Sequence, residues 1–267
     1  MTTRRTWAVA GALLLAVLRA PALAQEAQVV DLPTRPGVQL RMLVVRPAAD
    51  VSSVLVLLTG GGGQLGIYPN GSMRRDGNFL VRSRQLFVSH GHAVVLLDTP
   101  SDQPELRGSF RDSAEHAQDL GAAVAWARRS FGKQVWLVGT SRGTHSAANG
   151  ALRLRDEQAP DGLVLTSTIL DSARFGNVTA IPVQQWPLHE LRMPVLVVHH
   201  QDDACQVCPP ARLPELMARL NPGTSQLVTY AGGRSQGPAC EAFAHHGFNG
   251  LEERVVADIS GWIRSRP

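Results

Sequence analysis

The strongest chemical signal in this 267-residue sequence is a Gly-Thr-Ser-Arg-Gly pentapeptide at positions 139–143. An apolar run at 134–138 precedes it, and small, helix-compatible residues at 144–148 follow it. A Gly-x-Ser-x-Gly motif between a strand and a helix is typical of a nucleophile elbow, a sharp turn that exposes the serine hydroxyl. The glycines fit that turn because a Cβ on either flank would clash with the strained serine backbone. We therefore predict that Ser141 is a nucleophile.

A serine hydroxyl becomes an effective nucleophile only when a neutral imidazole accepts its proton, and a carboxylate must orient that imidazole. Downstream of Ser141, Asp203 follows one predicted strand, and His246 follows the last predicted strand after a longer loop. Their neighbours Asp202 and His245 are the alternatives, and the Gly-Phe pair after His246 favours it over His245. The sequence thus offers a Ser, Asp, His catalytic triad in that chain order.

The oxyanion that forms in such a reaction needs backbone N–H donors aimed at one point. We assign one donor to the amide of Arg142, the residue after the predicted nucleophile. We expect the second from Gly61 or a neighbour in the Thr-Gly-Gly-Gly-Gly segment at 59–63, which directly follows a buried apolar run. Because glycines let the main chain approach a ligand closely, we predict that Gly60 and Gly62 contact the substrate.

Strand-like and helix-like segments alternate along the chain, and these elements must position the candidate residues. Continuous apolar runs are typical of strands that are covered on both faces. The alternation predicts an α/β fold with a mainly parallel central sheet of about eight strands and helices on both faces. Right-handed crossovers would bring the loops after the strands to one edge of the sheet. Predicted strands lie at 28–32, 39–45, 54–58, 93–97, 134–138, 163–168, 195–199 and 226–230, and predicted helices at 79–90, 112–129, 144–155, 213–220 and 251–263.

On its motifs the sequence resembles the α/β-hydrolase superfamily, over essentially the whole chain after residue 24. The motifs are Gly-Thr-Ser-Arg-Gly at 139–143, His-His-Gln-Asp-Asp-Ala-Cys at 199–205 and His-Gly-Phe at 246–248. The resemblance is greatest to exported dienelactone-hydrolase-like or esterase-like members without a large cap domain. It places the triad acid at Asp203 and implies that no metal or organic cofactor is required. Dienelactone hydrolases proper have a cysteine nucleophile where this sequence has a serine, so their specific activity is not implied.

The irregular stretch at 170–193 occupies the position where caps are inserted in this superfamily. Its roughly two dozen residues suffice for a short flap over the serine, but not for a cap domain. We predict that Trp186, within this stretch, lines the acyl pocket, and core packing is the alternative.

Three cysteines, Cys205, Cys208 and Cys240, all lie in the last quarter of the chain. In an exported protein, three cysteines are expected to form one disulfide and to leave one free thiol. We predict a Cys205–Cys240 bridge, because these two lie close in sequence to Asp203 and His246 and the bridge would tie their loops together. Cys208–Cys240 is the alternative pairing. A structural zinc site usually needs a second matched pair of ligands, so we predict no metal site.

The first 24 residues have the three-part layout of a secretory signal peptide: Arg4 and Arg5, an apolar run at 7–18, and a small-x-small cleavage site at 22–24. We expect one domain over 25–267 and a periplasmic or secreted protein. Cleavage would lower the net charge from +4 to near +1, which gives no reason to expect nucleic-acid binding. No later stretch has transmembrane length, so we expect no stable membrane insertion.

The sequence therefore predicts an exported serine hydrolase that cleaves an ester of a small molecule through an acyl-enzyme, with a thioester or an amide as alternative substrates. Two other functions compete with it. One is a peptidase or acyltransferase that uses the same triad, and the other is a hydrolase-like binding protein without catalysis. The presence of all three triad residue types in order argues against the binding protein.

Overall fold

The computed structural model describes residues 26–172, 174–175, 178–179 and 181–266. The predicted signal peptide lies outside these described residues. The strands are β1 (Glu26–Arg35), β2 (Val38–Arg46), β3 (Ser53–Leu58), β4 (His92–Pro100), β5 (Val135–Thr140), β6 (Gly162–Thr166), β7 (Arg174–Phe175), β8 (Val178–Thr179), β9 (Val195–His200) and β10 (Ser225–Tyr230). The helices are α1 (Phe79–Arg82), α2 (Arg84–Ser89), α3 (Gly108–Arg111), α4 (Ala114–Phe131), α5 (Gly143–Arg153), α6 (Leu213–Met217) and α7 (Glu252–Arg264).

Eight of these strands form one sheet in the order β1-β2-β4-β3-β5-β6-β9-β10. β1 pairs with β2, and β2 with β4, in antiparallel fashion, whereas every pair from β4 to β10 is parallel. β3, β5, β6 and β9 are buried at every residue, as expected of parallel strands that are covered on both faces. This confirms the prediction of an α/β fold with a mainly parallel sheet of about eight strands.

Two apolar cores lie on the two faces of the sheet. One contains Leu120 of α4 and Ala147 of α5, and the other contains Phe79 of α1, Phe87 of α2 and Trp262 of α7. Helices therefore cover both faces, as predicted. Because β3, β5 and β9 are parallel, the loops after their carboxyl ends meet at one edge of the sheet.

The helices differ from the prediction in two places. The single helix predicted at 79–90 is divided into α1 and α2 at Ser83, where ψ is 1° and the first helix ends. The second difference is α3, which was not predicted because four residues are too few to show a helical period.

The insertion between β6 and β9 is short. Its described residues form the β7–β8 hairpin and two 3₁₀ helices, at Val183–Gln185 and Leu188–Glu190. This agrees with the predicted length of the insertion and with the absence of a large cap from the described part of the chain. Among the described helices, none combines the length and apolar character needed to cross a membrane.

Candidate active site

The Gly-Thr-Ser-Arg-Gly segment joins β5 to α5 in a strained turn. Ser141 has a φ of 52°, in the left-handed region that residues with a Cβ rarely adopt. A Cβ on Gly139 would lie 2.5 Å from the carbonyl oxygen of Gly143, and a Cβ on Gly143 would overlap that of Leu58. The Ser141 amide donates to the Thr166 carbonyl at 3.0 Å, which ties the turn to β6. Both glycines are therefore required by close backbone contacts.

Asp203 and His246 are brought together from loops 43 residues apart in sequence. His246 Nδ1 donates to Asp203 Oδ2 at 2.9 Å, and both side chains are buried. The other carboxylate oxygen, Oδ1, accepts the Cys205 amide at 2.9 Å. The backbone carbonyl of His246 accepts the Ser167 hydroxyl at 2.7 Å. Because Nδ1 is occupied, Nε2 is the ring nitrogen that remains for proton transfer.

The alternatives Asp202 and His245 occupy a different environment. Asp202 is exposed, and its amide donates to His200 Nδ1 at 3.0 Å. The His245 ring stacks on His200 with centroids 4.2 Å apart, and its Nδ1 lies 3.3 Å from the Asp202 carbonyl oxygen. Thus the close carboxylate–imidazole contact belongs to Asp203 and His246.

His199, near the end of β9, is a supporting residue that was not predicted from the sequence. Its ring is buried, Nε2 donates to the Cys208 carbonyl at 2.9 Å, and the same nitrogen lies 3.5 Å from Asp203 Oδ2. Burial lowers the pKa of His199, so the ring is neutral at pH 7. Its position four residues before Asp203 is the signal that could have identified it.

The glycine segment after β3 and the elbow line one open cleft of about 530 Å³. A Cβ on Gly60 would lie 2.8 Å from Ser141 Cβ, so only glycine permits this close approach. The cleft walls contain the predicted nucleophile, the predicted base and all three glycines predicted to donate or to contact substrate: Ser141, His246, Gly60, Gly61 and Gly62.

Arg142 is the N-cap of α5, which puts its amide at the amino terminus of that helix, where backbone N–H groups lack helical partners. Its guanidinium Nη2 lies 3.5 Å from the Leu106 carbonyl oxygen. Burial lowers the pKa of Arg142, and the charge of Glu105 opposes that shift.

Trp186 is not among the residues that line the cleft. Its indole instead stacks on the ring of His145 in α5, with centroids 5.6 Å apart and planes 23° apart. His145 is buried, and desolvation lowers its pKa to about 4. The structure thus favours the packing alternative for Trp186 over a place in the acyl pocket, because the indole covers the elbow helix.

The structure joins Cys205 to Cys240 and leaves Cys208 as a buried free thiol. Cys208 Sγ donates to the Ser167 carbonyl at 3.2 Å, and burial raises the pKa of this thiol.

His200, Asp202 and His245 form a cluster of potential metal ligands. However, His200 Nδ1 accepts the Asp202 amide and Nε2 donates to the Gly232 carbonyl, so neither ring nitrogen is available to a metal.

Solved structures with similar folds cover nearly the whole chain. An esterase from Pyrococcus furiosus has 14% sequence identity and a TM-score of 0.63, with 94% of this chain and 97% of the esterase covered. A dienelactone hydrolase from Anabaena variabilis has 15% identity and a TM-score of 0.61, with 89% of this chain and 96% of that hydrolase covered. An α/β serine hydrolase without a lid from Xanthomonas campestris has 17% identity and a TM-score of 0.54, with 90% of this chain and 92% of that hydrolase covered.

At these identities the likeness establishes the fold and nothing finer. No protein-family model and no curated protein matches the sequence. The chain has the α/β-hydrolase fold, shared with serine hydrolases and esterases. This confirms the fold that the sequence resemblance implied.

Proposed function

We propose that this protein is a serine hydrolase that cleaves esters of small molecules. The observation that carries the proposal is that Ser141, at a strained elbow, and His246, bonded to the buried Asp203, line the same cleft. Nucleophile, base and orienting acid are the three groups that acyl transfer requires. The α/β-hydrolase fold supports hydrolysis, and the esterases among its structural neighbours favour an ester over a thioester or an amide.

In this proposal, Ser141 Oγ attacks the ester carbonyl while His246 Nε2 accepts the hydroxyl proton. Asp203 keeps the ring in the Nδ1–H tautomer and stabilises the imidazolium. The amides of Gly61 and Arg142 donate to the oxyanion. Collapse of the tetrahedral intermediate breaks the ester C–O bond, and His246 gives its proton to the leaving alkoxide. Water then attacks the acyl-Ser141 ester with His246 again as base, and the carboxylic acid leaves.

We further propose that the protein is exported as one domain over 25–267 after loss of the leader at 1–24. Support comes from the leader's composition and from the Cys205–Cys240 disulfide, which suits an oxidising compartment. Mass spectrometry of the mature amino terminus from a periplasmic or culture fraction tests this. A mature protein that begins at residue 25 is the expected result, and an uncleaved protein in the cytosol contradicts it.

The activity is tested with a fluorophosphonate probe and with p-nitrophenyl esters of graded acyl length. We expect the probe to label wild type and not Ser141→Ala, and the esters to release p-nitrophenol about 10⁴-fold or more faster with wild type. Ser130→Ala, at an exposed serine near the end of α4, is the matched serine control and should still label. A folded wild type that neither labels nor releases p-nitrophenol contradicts the proposed function.

A further inference from the structure

Arg111, the last residue of α3, is a fully buried arginine. In the described part of the chain, its guanidinium forms no ion pair with a carboxylate. Burial, together with the positive charge of Arg142, lowers the pKa of Arg111 to about 9, so the group is charged at pH 7. A buried charge without an ion-pair partner is costly, and such groups are retained only where hydrogen bonds satisfy them.

The guanidinium donates hydrogen bonds to the segment predicted to bind the oxyanion. Its Nη2 donates to the carbonyls of Thr59 at 3.1 Å and of Gly61 at 3.2 Å. Its Nη1 donates to Ser146 Oγ at 2.7 Å, and its Nε lies 3.3 Å from the Leu106 carbonyl oxygen. Arg111 therefore connects the glycine segment to α5, the helix that begins at the nucleophile elbow.

A second side chain, that of His116, holds the Ser146 hydroxyl that accepts from Arg111. His116 Nε2 lies 2.8 Å from Ser146 Oγ, and burial lowers the pKa of His116 to about 3. The ring is thus neutral, and Ser146 Oγ accepts from Arg111 Nη1 while it shares a hydrogen bond with His116 Nε2. The guanidinium also borders a small cavity of about 20 Å³, room for about one water molecule. Because Arg111 has no exposed surface, bulk solvent does not screen its charge.

The remaining carbonyls of the glycine segment are hydrogen-bonded as well. The Gly60 carbonyl accepts the Gly63 amide at 3.2 Å, and the Gly62 carbonyl accepts the Leu106 amide at 2.7 Å. With the two bonds from Arg111, every carbonyl from residue 59 to residue 62 has a donor. Across a trans peptide the C=O of one residue points opposite to the N–H of the next. The bonds from Arg111 therefore fix the amides of Gly60 and Gly62, and the Gly63–Gly60 bond fixes the amide of Gly61 between them.

Gly63 shows that the segment is shaped around Arg111. Its φ is 81°, and a Cβ there would lie 2.8 Å from Leu106 Cδ1 and 3.1 Å from Arg111 Nη2. A side chain at Gly63 would therefore displace the guanidinium from the Thr59 and Gly61 carbonyls.

We propose that Arg111 is a positioning residue that holds the glycine segment on both sides of the Gly60–Gly61 peptide, and so orients the Gly61 amide, while its buried positive charge polarises the flanking amides of Gly60 and Gly62. It touches neither the substrate nor Ser141 in this role. A cation on a peptide carbonyl strengthens the opposite N–H as a donor, and this matters most in the transition state, when the oxygen carries full charge. The inference rests on the proposed function, because it requires an oxyanion at Ser141.

The test compares Arg111→Met and Arg111→Lys with a matched control, Arg128→Met. Arg128 also holds two backbone carbonyls, those of Glu157 and Ala159, but it lies beside the start of β5, at the opposite edge of the sheet. Each protein is assayed with a p-nitrophenyl ester and with its thiono analogue, in which sulfur replaces the carbonyl oxygen and accepts hydrogen bonds poorly.

We expect Arg111→Met to lower kcat for the ester by about 10²-fold while KM changes less than about threefold. The ester-to-thionoester ratio of kcat/KM should fall about tenfold or more, because donors that are no longer oriented discriminate less between oxygen and sulfur. Arg111→Lys should recover part of the lost kcat, since a lysine keeps the charge but not the planar donor array. Arg128→Met should keep the wild-type ratio.

Two results would overturn the inference while leaving the proposed function in place. One is a kcat for Arg111→Met within about threefold of wild type, and the other is an unchanged ester-to-thionoester ratio in an impaired Arg111 variant. If Arg111→Met does not fold, the ratio measured for Arg111→Lys decides. A folded wild type that does not react with the fluorophosphonate overturns both the proposed function and this inference.

Discussion

The elbow around Ser141 and the pair Asp203–His246 are held in place by different kinds of interaction. The elbow lies within one strand–helix junction, where a φ of 52° and tight glycine contacts fix the serine through the backbone. The acid and the histidine come from two loops and are held by side-chain hydrogen bonds and a disulfide. The nucleophile should therefore be disturbed mainly by changes that alter local packing, and the pair by changes that separate the two loops.

The largest expected effect comes from breaking the acid–imidazole contact. Asp203→Asn should lower kcat for a p-nitrophenyl ester by about 10⁴-fold, because an amide at this position favours the wrong histidine tautomer. Asp202→Asn is the matched control next door and should leave kcat within about twofold, since Asp202 is exposed. The opposite pattern, in which Asp202→Asn inactivates and Asp203→Asn does not, would show that the acid is assigned to the wrong residue.

Removal of the disulfide tests how far the loops that carry Asp203 and His246 depend on a covalent link. Because the bridge closes a loop with a sequence separation of 35 residues, Cys205→Ser/Cys240→Ser should lower the free energy of unfolding by about 3–4 kcal/mol. Urea unfolding monitored by circular dichroism measures this. Cys208→Ala removes the buried free thiol without opening the bridge and serves as the control, with a loss of about 1 kcal/mol. Equal stability of the bridged and unbridged proteins would mean that hydrogen bonds alone hold the loops.

The smallest expected effect is on the elbow itself. Gly143→Ala should lower the free energy of unfolding by about 1–3 kcal/mol, because the added Cβ overlaps the Leu58 carbonyl oxygen at the end of β3. Gly261→Ala in α7 is the control: nothing lies within 4 Å of its Cβ position, and alanine is the better helix former. Gly261→Ala should be neutral or slightly stabilising. A Gly143→Ala protein as stable as wild type would remove the packing explanation for this glycine.

Much of the fold could be predicted because buried parallel strands appear in the sequence as continuous apolar runs. The run at 54–58 became β3, and the run at 134–138 became β5 with a shift of one residue at its start and two at its end. The break at Ser83 could not be predicted, because no Gly or Pro in residues 79–90 marks it. The helix α3 could not be predicted, because four residues are too few to show a helical period. The environment of Trp186 could not be predicted either, since the spacing of a loop residue does not say which neighbour its ring will cover.

The sequence by itself determined the α/β character, the strand–turn–helix context of Ser141 and a small set of candidate acids and bases. These are local properties, set by apolar periodicity and by the steric needs of a tight turn. The tertiary structure alone decided the strand order, the contact of Asp203 with His246 and the burial of Arg111 behind the glycine segment. Each of these joins residues far apart in sequence, and such contacts are selected by the packing of the whole sheet rather than by any pattern that one segment carries.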